Sequence, residues 1–544
     1  MPLHRDMTKL DEEKDLMEKR EGAWAAAGFA VVLVVVGLPV WWYTTTVYRA
    51  HLPYSTIEDL SGQLRYHAVG MTLVGVASAA FSADLDRNLR PLQGIKFQMS
   101  LRKPRKEELD VINSVESLSD LDFRMSKTVR VAAGTLAVFV IPELKLFEKD
   151  NSSMIVGRHR LIYVKPDVDL QVLATVVKSM VMDPLANRRA HGNKVLNQLP
   201  GQHKKEAMRQ VPTEPGYDVT LTLMVPEPHR IGINWDARAA VDDYLNPFVK
   251  QLENVAKLTV RSQVLYMTGL NVSPQWSAAH QHYALPQDQL PLTINAIEAK
   301  LGSFVWTRPS LHFVIYIPRE KQLPLHIHNV DGTPLQTNSF LVPRWGGVMI
   351  HNVPPNEANA SLAHHVTLDS HWIMSTVLTH LHRLLPIPFV KETENVAILP
   401  PKNGCLLTDW QLDGLARARV SSYLTNIRIT LQSLCELVGE ISNMVISDEV
   451  GGWVWGAVEE WGECGRAARE GRLQEATLYC SRSFIQADAA FFHPSMLALL
   501  YFPDNQKYAI YVPLFLPVSI PVILSLKMVL SLFWRPAVDK EKKE

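Results

Sequence analysis

The chain has 544 residues, more than one ordinary domain needs, and 47% of them are hydrophobic, the content of a folded protein. Lys and Arg together number 55 and Asp and Glu 55, so there is no global basic field to argue for a nucleic-acid partner. The apolar residues are instead concentrated in two long runs, one near each end, which points to a membrane protein.

Residues 1–21 form a polar tail carrying Lys14, Lys19 and Arg20. Residues 22–43, "GAWAAAGFAVVLVVVGLPVWWY", contain no charge and are long enough to cross ~30 Å of hydrocarbon at ~1.5 Å per residue. The run exceeds a signal-peptide core, and its small residues lie at its start, where no cleavage site would be. Pro39, Trp41, Trp42 and Tyr43 make an interfacial belt at its exit, so it predicts an uncleaved signal anchor.

Residues 44–400 alternate strand and helix patterns. "GTLAVFVIP" and "RLIYVK" predict strands, followed by a helix over "VDLQVLATVVKSMVMD". "YDVTLTLMVPEP", then "NWDARAAVDDYLNPFVKQLENVAKL" with Asn234 or Asp236 as N-cap, then "TVRSQVLYM" predict a βαβ unit and a sheet with parallel character. From Leu311 come "LHFVIYIP", "LPLHIHNVDGTPL" with a turn at Asp331-Gly332, and "GGVMIHNVPP", closed by a helix over "LDSHWIMSTVLTHLHRLL". A Pro-rich connector marks a boundary near residue 400. Residues 401–507 predict a helical segment: Leu424, Ile427, Leu431, Leu434, Val438 and Ile441 form one apolar stripe. Val454, Val458, Trp461 and Cys464 form a second, and "REGRLQEATLYCSRSFIQADAAFF" a third.

Residues 508–534 are the second expected span. In "YVPLFLPVSIPVILSL", Pro513, Pro517 and Pro521 fall four apart. Each interior proline removes a backbone donor, so Pro517 and Pro521 free the carbonyls of Pro513 and Pro517, which lipid cannot satisfy. This face is expected to pack against a neighbouring span or to line a polar membrane cavity. The alternative is a kink satisfied within the chain, by Ser519 or against the first span. Residues 535–544 are a basic tail ending in "KEKKE", with the spacing of a dilysine retrieval signal. Lys and Arg near the spans place both termini in the cytosol and the body in the lumen. The sequons at Asn151, Asn271 and Asn359 all lie between the spans, as glycosylation of a lumenal body requires. The expected fold class is therefore a two-pass membrane protein with a large lumenal α/β domain, mixed sheet plus helices. A C-terminal helical segment leads into the second transmembrane helix.

Catalytic motifs are absent from the sequence: no G-x-S-x-G, no phosphate-binding G-x-x-x-x-G-K-[ST], no H-E-x-x-H and no paired C-x-x-C. Cys405, Cys435, Cys464 and Cys480 all fall in or beside the helical segment, where an oxidising lumen favours disulfides or buried thiols; three pairings are open. His326/His328 with His364, His365 and His371 could ligate zinc. Among 19 histidines, however, close pairs such as His280/His282 and His380/His382 arise by chance. Asp-x-Asp occurs at Asp84/Asp86, Asp120/Asp122 and Asp167/Asp169. Such a pair could hold a divalent ion in a lumenal metal-dependent glycosyl- or phosphoryl-transferase. The bland reading is a helix cap or surface carboxylates. No catalytic, cofactor or metal site is assigned.

"GLPVWWYTTTVYRAHLPYSTI", "NWDARAAVDDYLNPFV", "SQVLYMTGLNVSP", "SFLVPRWGGVMIHNV" and "YFPDNQKYAIYVPLFLPVSIPVILSL" together resemble the PIG-S family, an accessory subunit of the glycosylphosphatidylinositol (GPI) transamidase complex. The resemblance runs along nearly the whole chain and is poorest in the N-terminal tail and over residues 80–160. It implies a non-catalytic, scaffolding subunit of the endoplasmic reticulum membrane that supports attachment of GPI anchors to the C-termini of proproteins. Its implied partners are the other transamidase subunits, including a Cys-protease-like catalytic one, together with membrane lipid and the proprotein substrate. No catalytic residue transfers. Asn359 ("NASL") lies in a segment that shares the resemblance.

Overall fold

The computed structural model describes residues 3–60, 66–75, 78–90, 94–142, 152–182, 209–301, 308–354, 364–401, 406–441, 444–496 and 504–533. The chain divides into two compact units: Met1–Ser55, Thr430–Trp455 and Ala487–Glu544 in one, Thr56–Ile429 and Gly456–Gln486 in the other.

The larger unit is mixed α/β. Its strands are β1 (His67–Gly75), β2 (Ile95–Arg102), β3 (Thr135–Val140), β4 (Met154–Val156) and β5 (Leu161–Val164). Next come β6 (Gly216–Val225), β7 (Ile231–Asn234), β8 (Lys257–Tyr266), β9 (Gln275–Ser277) and β10 (His282–Pro286). The last are β11 (Ser310–Tyr316), β12 (Leu325–His328), β13 (Ser339–Val342), β14 (Gly346–Ile350), β15 (His364–Thr367) and β16 (Val396–Ile398). Among the described residues the first sheet has the order β16-β4-β5-β3-β1-β2 and the second the order β13-β14-β11-β6-β8. In the first sheet only the β4–β5 pair is antiparallel, and in the second only β13–β14. Two small sheets, β12-β10-β9 and β15-β7, complete the unit.

The local chemistry explains these elements. β6 has ten buried residues in succession and β3 to β5 are nearly as apolar, the continuous pattern of parallel strands covered on both faces. The predicted βαβ unit is present: β6, a helical segment over Ala237–Ala240, Val241–Leu245 and Asn246–Leu252, then β8 parallel to β6. Asp236 caps it by accepting from the Ala239 N–H at 2.9 Å, which settles the choice between Asn234 and Asp236. One face of the second sheet packs Leu221, Phe313 and Met349 against Ile373, Val377 and Leu381 of the helix Ser370–Leu384. The opposite face packs Val314, Tyr316 and Val348 against Ile297 of the helix Leu290–Leu301. Gly346 begins β14 at φ +149°, and a Cβ there would sit 1.8 Å from the His312 carbonyl oxygen, so only glycine lets β14 take its place beside β11.

Two features lie beyond the sequence expectation. β1 and β2 carry no strong strand signal: β2 is an edge strand with a half-exposed pattern, so its period is weak. β16 arises inside the Pro-rich connector, returns past the entire second sheet and pairs with β4. Three residues are too few to show a period, and only their partner defines them as a strand.

The predicted apolar stripe falls on the helix Asp409–Glu440, where Leu424, Ile427, Leu431, Leu434 and Val438 are all buried; Ile441 lies just past its end. The helices Asp448–Arg469 and Leu473–Phe491 follow, as the second and third stripes predict. In the smaller unit, the first apolar run is a helix through Leu3–Val32, a π turn at Leu33–Gly37, and Leu38–Thr45. Pro39 sits at the start of the last piece, where its missing N–H is tolerated. Arg20–Tyr43 is the one helix among the described residues that is long and apolar enough to cross a membrane by the measure of length and composition. Beyond it, Ala50 donates to the Ile446 carbonyl and Ile446 to the Tyr48 carbonyl, at 3.0 and 3.2 Å. The Arg49 guanidinium also reaches the carbonyls of Ile441 and Met444.

Candidate functional site

The proline-containing segment lies in the helix Asp504–Phe533, and all three prolines, Pro513, Pro517 and Pro521, are exposed on it. Trp41 packs edge-on against Tyr511 and Phe515, with ring centroids 5.9 and 5.6 Å apart, so this helix and the N-terminal apolar helix meet through aromatic rings. The Ser519 hydroxyl donates to the Phe515 carbonyl at 2.6 Å, the carbonyl four residues back. It therefore does not serve the carbonyls of Pro513 and Pro517, which the prolines leave without an intrahelical donor.

Of the three sequons, Asn271 is exposed in a loop after β8 with φ of 53°, a left-handed conformation that asparagine tolerates. Asn151 and Asn359 lie outside the described residues. The Asp-x-Asp pairs are spread along helices rather than gathered at a site. Asp84 pairs with Arg87 and Asp86 with Arg90 along one surface helix. Asp120 pairs with Arg124, while Asp122 is fully buried and accepts from the Arg158 N–H at 2.9 Å. Burial pushes the Asp122 carboxyl above its ordinary pKa, against the pull of that hydrogen bond. Asp169 caps the helix Leu170–Val181. Local ion pairs account for Asp84, Asp86 and Asp120, and a helix cap for Asp169.

Cys464 and Cys480 form a disulfide with Cα atoms 5.2 Å apart, joining the second and third C-terminal helices. Cys435 is half-buried in the helix Asp409–Glu440, and Cys405 lies outside the described residues. Among the described residues no group of three or more His, Cys, Asp or Glu side chains could hold a metal ion. His326 and His328 do not approach His364, His365 and His371 as one zinc set; the rings beside them belong to His280 and His282. His380 and His382 face the core, stacking near Phe313 and on Phe248.

The best-connected polar cluster went unnoticed in the sequence. Arg160, at the β4–β5 turn, donates to Asp413 through Nε at 2.6 Å and Nη2 at 3.0 Å. Asp413 also accepts from the Gly134 N–H at 2.9 Å. Arg417, 2% exposed, donates to the carbonyls of Val181 and Gly134 at 3.0 and 2.8 Å. The readable signal was Asp409, Asp413 and Arg417 at steps of four, which sets three charges on one face of a helix. This cluster clamps the long helix to the first sheet and is built for architecture.

The sequence model of the family described as PIG-S, phosphatidylinositol-glycan biosynthesis class S protein, matches residues 28–535. This chain belongs to the PIG-S family. A relative from Mus musculus, named GPI-anchor transamidase component PIGS, is 33% identical over 532 residues, covering 94% of this chain and 95% of the relative. The Bos taurus protein of the same name is 34% identical over 535 residues, covering 94% and 95%. The Schizosaccharomyces pombe relative, named GPI transamidase component PIG-S homolog, is 26% identical over 503 residues, covering 92% and 82%. The PIG-S match takes in the proline-bearing helix and the Arg160–Asp413–Arg417 clamp alike.

Proposed function

We propose that this PIG-S family chain is a non-catalytic accessory and scaffolding subunit of the GPI transamidase, supporting attachment of GPI anchors to proprotein C-termini in the endoplasmic reticulum. The observation that carries it is similarity along nearly the full length to proteins named as components of that enzyme. The chemistry would then belong to a Cys-protease-like partner subunit, with the two sheets here offering contact surface for subunits and for the proprotein. The test is purification of the tagged chain in mild detergent with partners identified by mass spectrometry. Recovery of the other transamidase subunits is expected; recovery as a monomer would overturn the reading.

The topology belongs to the same proposal: residues 22–43 and 508–534 span the membrane, residues 44–400 and 401–507 are lumenal, and residues 1–21 and 535–544 are cytosolic. Asn271 is exposed and would carry a glycan, as would Asn151 and Asn359. Asn271→Gln is expected to raise gel mobility by one endoglycosidase-sensitive step; an unchanged mobility would show that Asn271 is not modified. The exposed prolines suit a face that packs against a partner's span, in contact with lipid at its margins. Pro517→Leu with Pro521→Leu would restore two backbone donors and straighten that face. Recovery of partner subunits is expected to fall several-fold while the chain's own yield holds, and undiminished recovery would remove the proline face from the interface.

A further inference from the structure

One face of the first sheet ends in a small polar cavity walled by arginines. Residues opposite each other on paired strands share a face, and so do residues two apart on one strand. The pairings of β1 set Ser100 and Ala137 beside Thr72, Arg102 beside Val74 and Thr135 beside Gly70, so all of these lie on one side. On that side Val74 and Ala137 pack with Ile112 of the helix Lys106–Ser114 and with Leu121 and Met125 of the helix Leu118–Thr128. The cavity measures about 190 Å³ and is lined by Thr72, Arg102, Arg105, Thr135 and the segment from Val129 to Ala132, which includes Arg130. That is below the ~300 Å³ at which pockets for drug-sized molecules begin, and it suits a compact polar group.

The charges at this cavity do not balance. Glu108 is fully buried and accepts from Arg102 Nη1 and Nη2 at 2.8 and 2.7 Å and from the Arg105 N–H at 2.8 Å. It therefore neutralises Arg102 and fixes the chain at Arg105 while leaving the Arg105 guanidinium unused. Arg105 and Arg130 are exposed, and neither side chain has an ion-pair partner among the described residues. The described lining residues include no carboxylate, and Lys103 and Lys106 of the run "RKPRK" add two more exposed cations. The Ser100 hydroxyl donates to Thr72 Oγ1 at 3.0 Å, which leaves the Thr72 O–H to donate elsewhere, whereas the Thr135 hydroxyl is taken by the Ala132 carbonyl at 2.7 Å. Guanidinium forks beside a hydroxyl donor, with no carboxylate to repel an anion, are the groups that recognise phosphate oxygens. Donors arriving from separate strands and loops match the tetrahedral oxygens of a phosphate better than the flat pair of a carboxylate.

We propose that this cavity binds the phosphate group of a phosphate ester. Arg105 and Arg130 supply the unpaired charges, and Arg102, steadied by Glu108, and the Thr72 hydroxyl complete the donor set. Two sources present the same oxygens: the headgroup of a phospholipid and a soluble sugar phosphate. Both principal cations are exposed to solvent, so the attraction is screened and binding weakens as salt is raised. The purified chain is sufficient for this binding, whatever subunits accompany it in a complex.

The experiment uses the full chain in uncharged detergent and phosphate-free buffer, with binding read by calorimetry. The probes are inositol 1-phosphate for a soluble ester, short-chain phosphatidylinositol for a lipid headgroup, and inositol as the neutral control. One phosphate-bearing probe per chain is expected to bind, more weakly at high salt, and inositol is not. Tighter binding of the short-chain lipid assigns a headgroup, and tighter binding of inositol 1-phosphate a soluble sugar phosphate. Arg105→Gln and Arg130→Gln, at exposed positions and so expected to leave folding intact, should each weaken binding about tenfold, the scale of one charge-assisted hydrogen bond. Arg124→Gln serves as the charge control: Arg124 pairs with Asp120 on the helix Leu118–Thr128 and does not line the cavity, so this variant should bind as the wild type does. Failure of both phosphate probes to bind, equal binding of inositol, unchanged binding by Arg105→Gln and Arg130→Gln, or an equal loss in Arg124→Gln would each overturn the proposal.

Discussion

The unfolding temperature of the mixed α/β unit is expected to fall steeply as pH drops from 7 to 5, and His380 and His382 are expected to account for much of the loss. Burial lowers each to about 4 from an ordinary 6.5. Both sit on the helix Ser370–Leu384 over the second sheet. His380 Nδ1 and His382 Nε2 have no hydrogen-bond partner among the described residues, so a proton gained there meets no acceptor. A histidine depressed in the folded state contributes stability that is complete above its unfolded value and is lost as pH falls toward its folded one. The window is therefore 6.5 down to about 4, and at pH 5 each residue forfeits roughly 2 kcal/mol. His282, His326 and His328 shift in the same direction and add to the slope. His159 opposes it, because its hydrogen bond to Asp409 raises it and adds stability that is lost as pH rises through its folded value. Thermal unfolding of wild type and His382→Leu at pH 7 and pH 5 checks this. The variant should lose markedly less on acidification, and parallel losses would refute the assignment.

Asp413→Asn should be the most damaging single polar substitution in the first sheet's neighbourhood, costing about 3–5 kcal/mol, the penalty for stranding a buried charge. Arg417 is 2% exposed and burial lowers it to about 10, which still leaves it a cation at neutral pH. Asp413 is the acid beside it, and the same carboxylate takes Arg160 and the Gly134 N–H. Removing the charge leaves the buried Arg417 without its neighbouring carboxylate and Arg160 with Asp409 alone, and loosens the start of β3, the β4–β5 turn and the long helix together. Adding Arg417→Met should recover a measurable part of the loss, since a well-packed apolar pair replaces a buried ion pair at little net cost. Urea unfolding of the single and double variants decides it. A neutral Asp413→Asn, or a double variant no better than the sum of its singles, would show that the cluster does not act as a unit.

Periodicity and chain length carried most of the architecture. The apolar run at residues 22–43, the βαβ order through β6 and β8, the apolar stripe from Leu424 to Val438 and the family membership were all legible, because each rests on a long local pattern or on many matched residues. What stayed hidden depends on partners distant in sequence. β16 is a strand only because β4 lies beside it. The helical stripes could not pair the cysteines, because the Cys464–Cys480 bond depends on how two helices meet across a turn. The acids and arginines of "DWQLDGLARAR" look like a solvated helix face, yet Asp413, Arg417 and Arg419 are buried. Likewise His280/His282 and His326/His328 are two chance-like pairs in a list of residues, and a parallel strand pairing makes them one cluster. Local sequence sets the period and face of each element, because those depend on backbone geometry alone. Which polar groups meet in the interior is decided by packing, where a buried charge or imidazole is tolerated only opposite its complement.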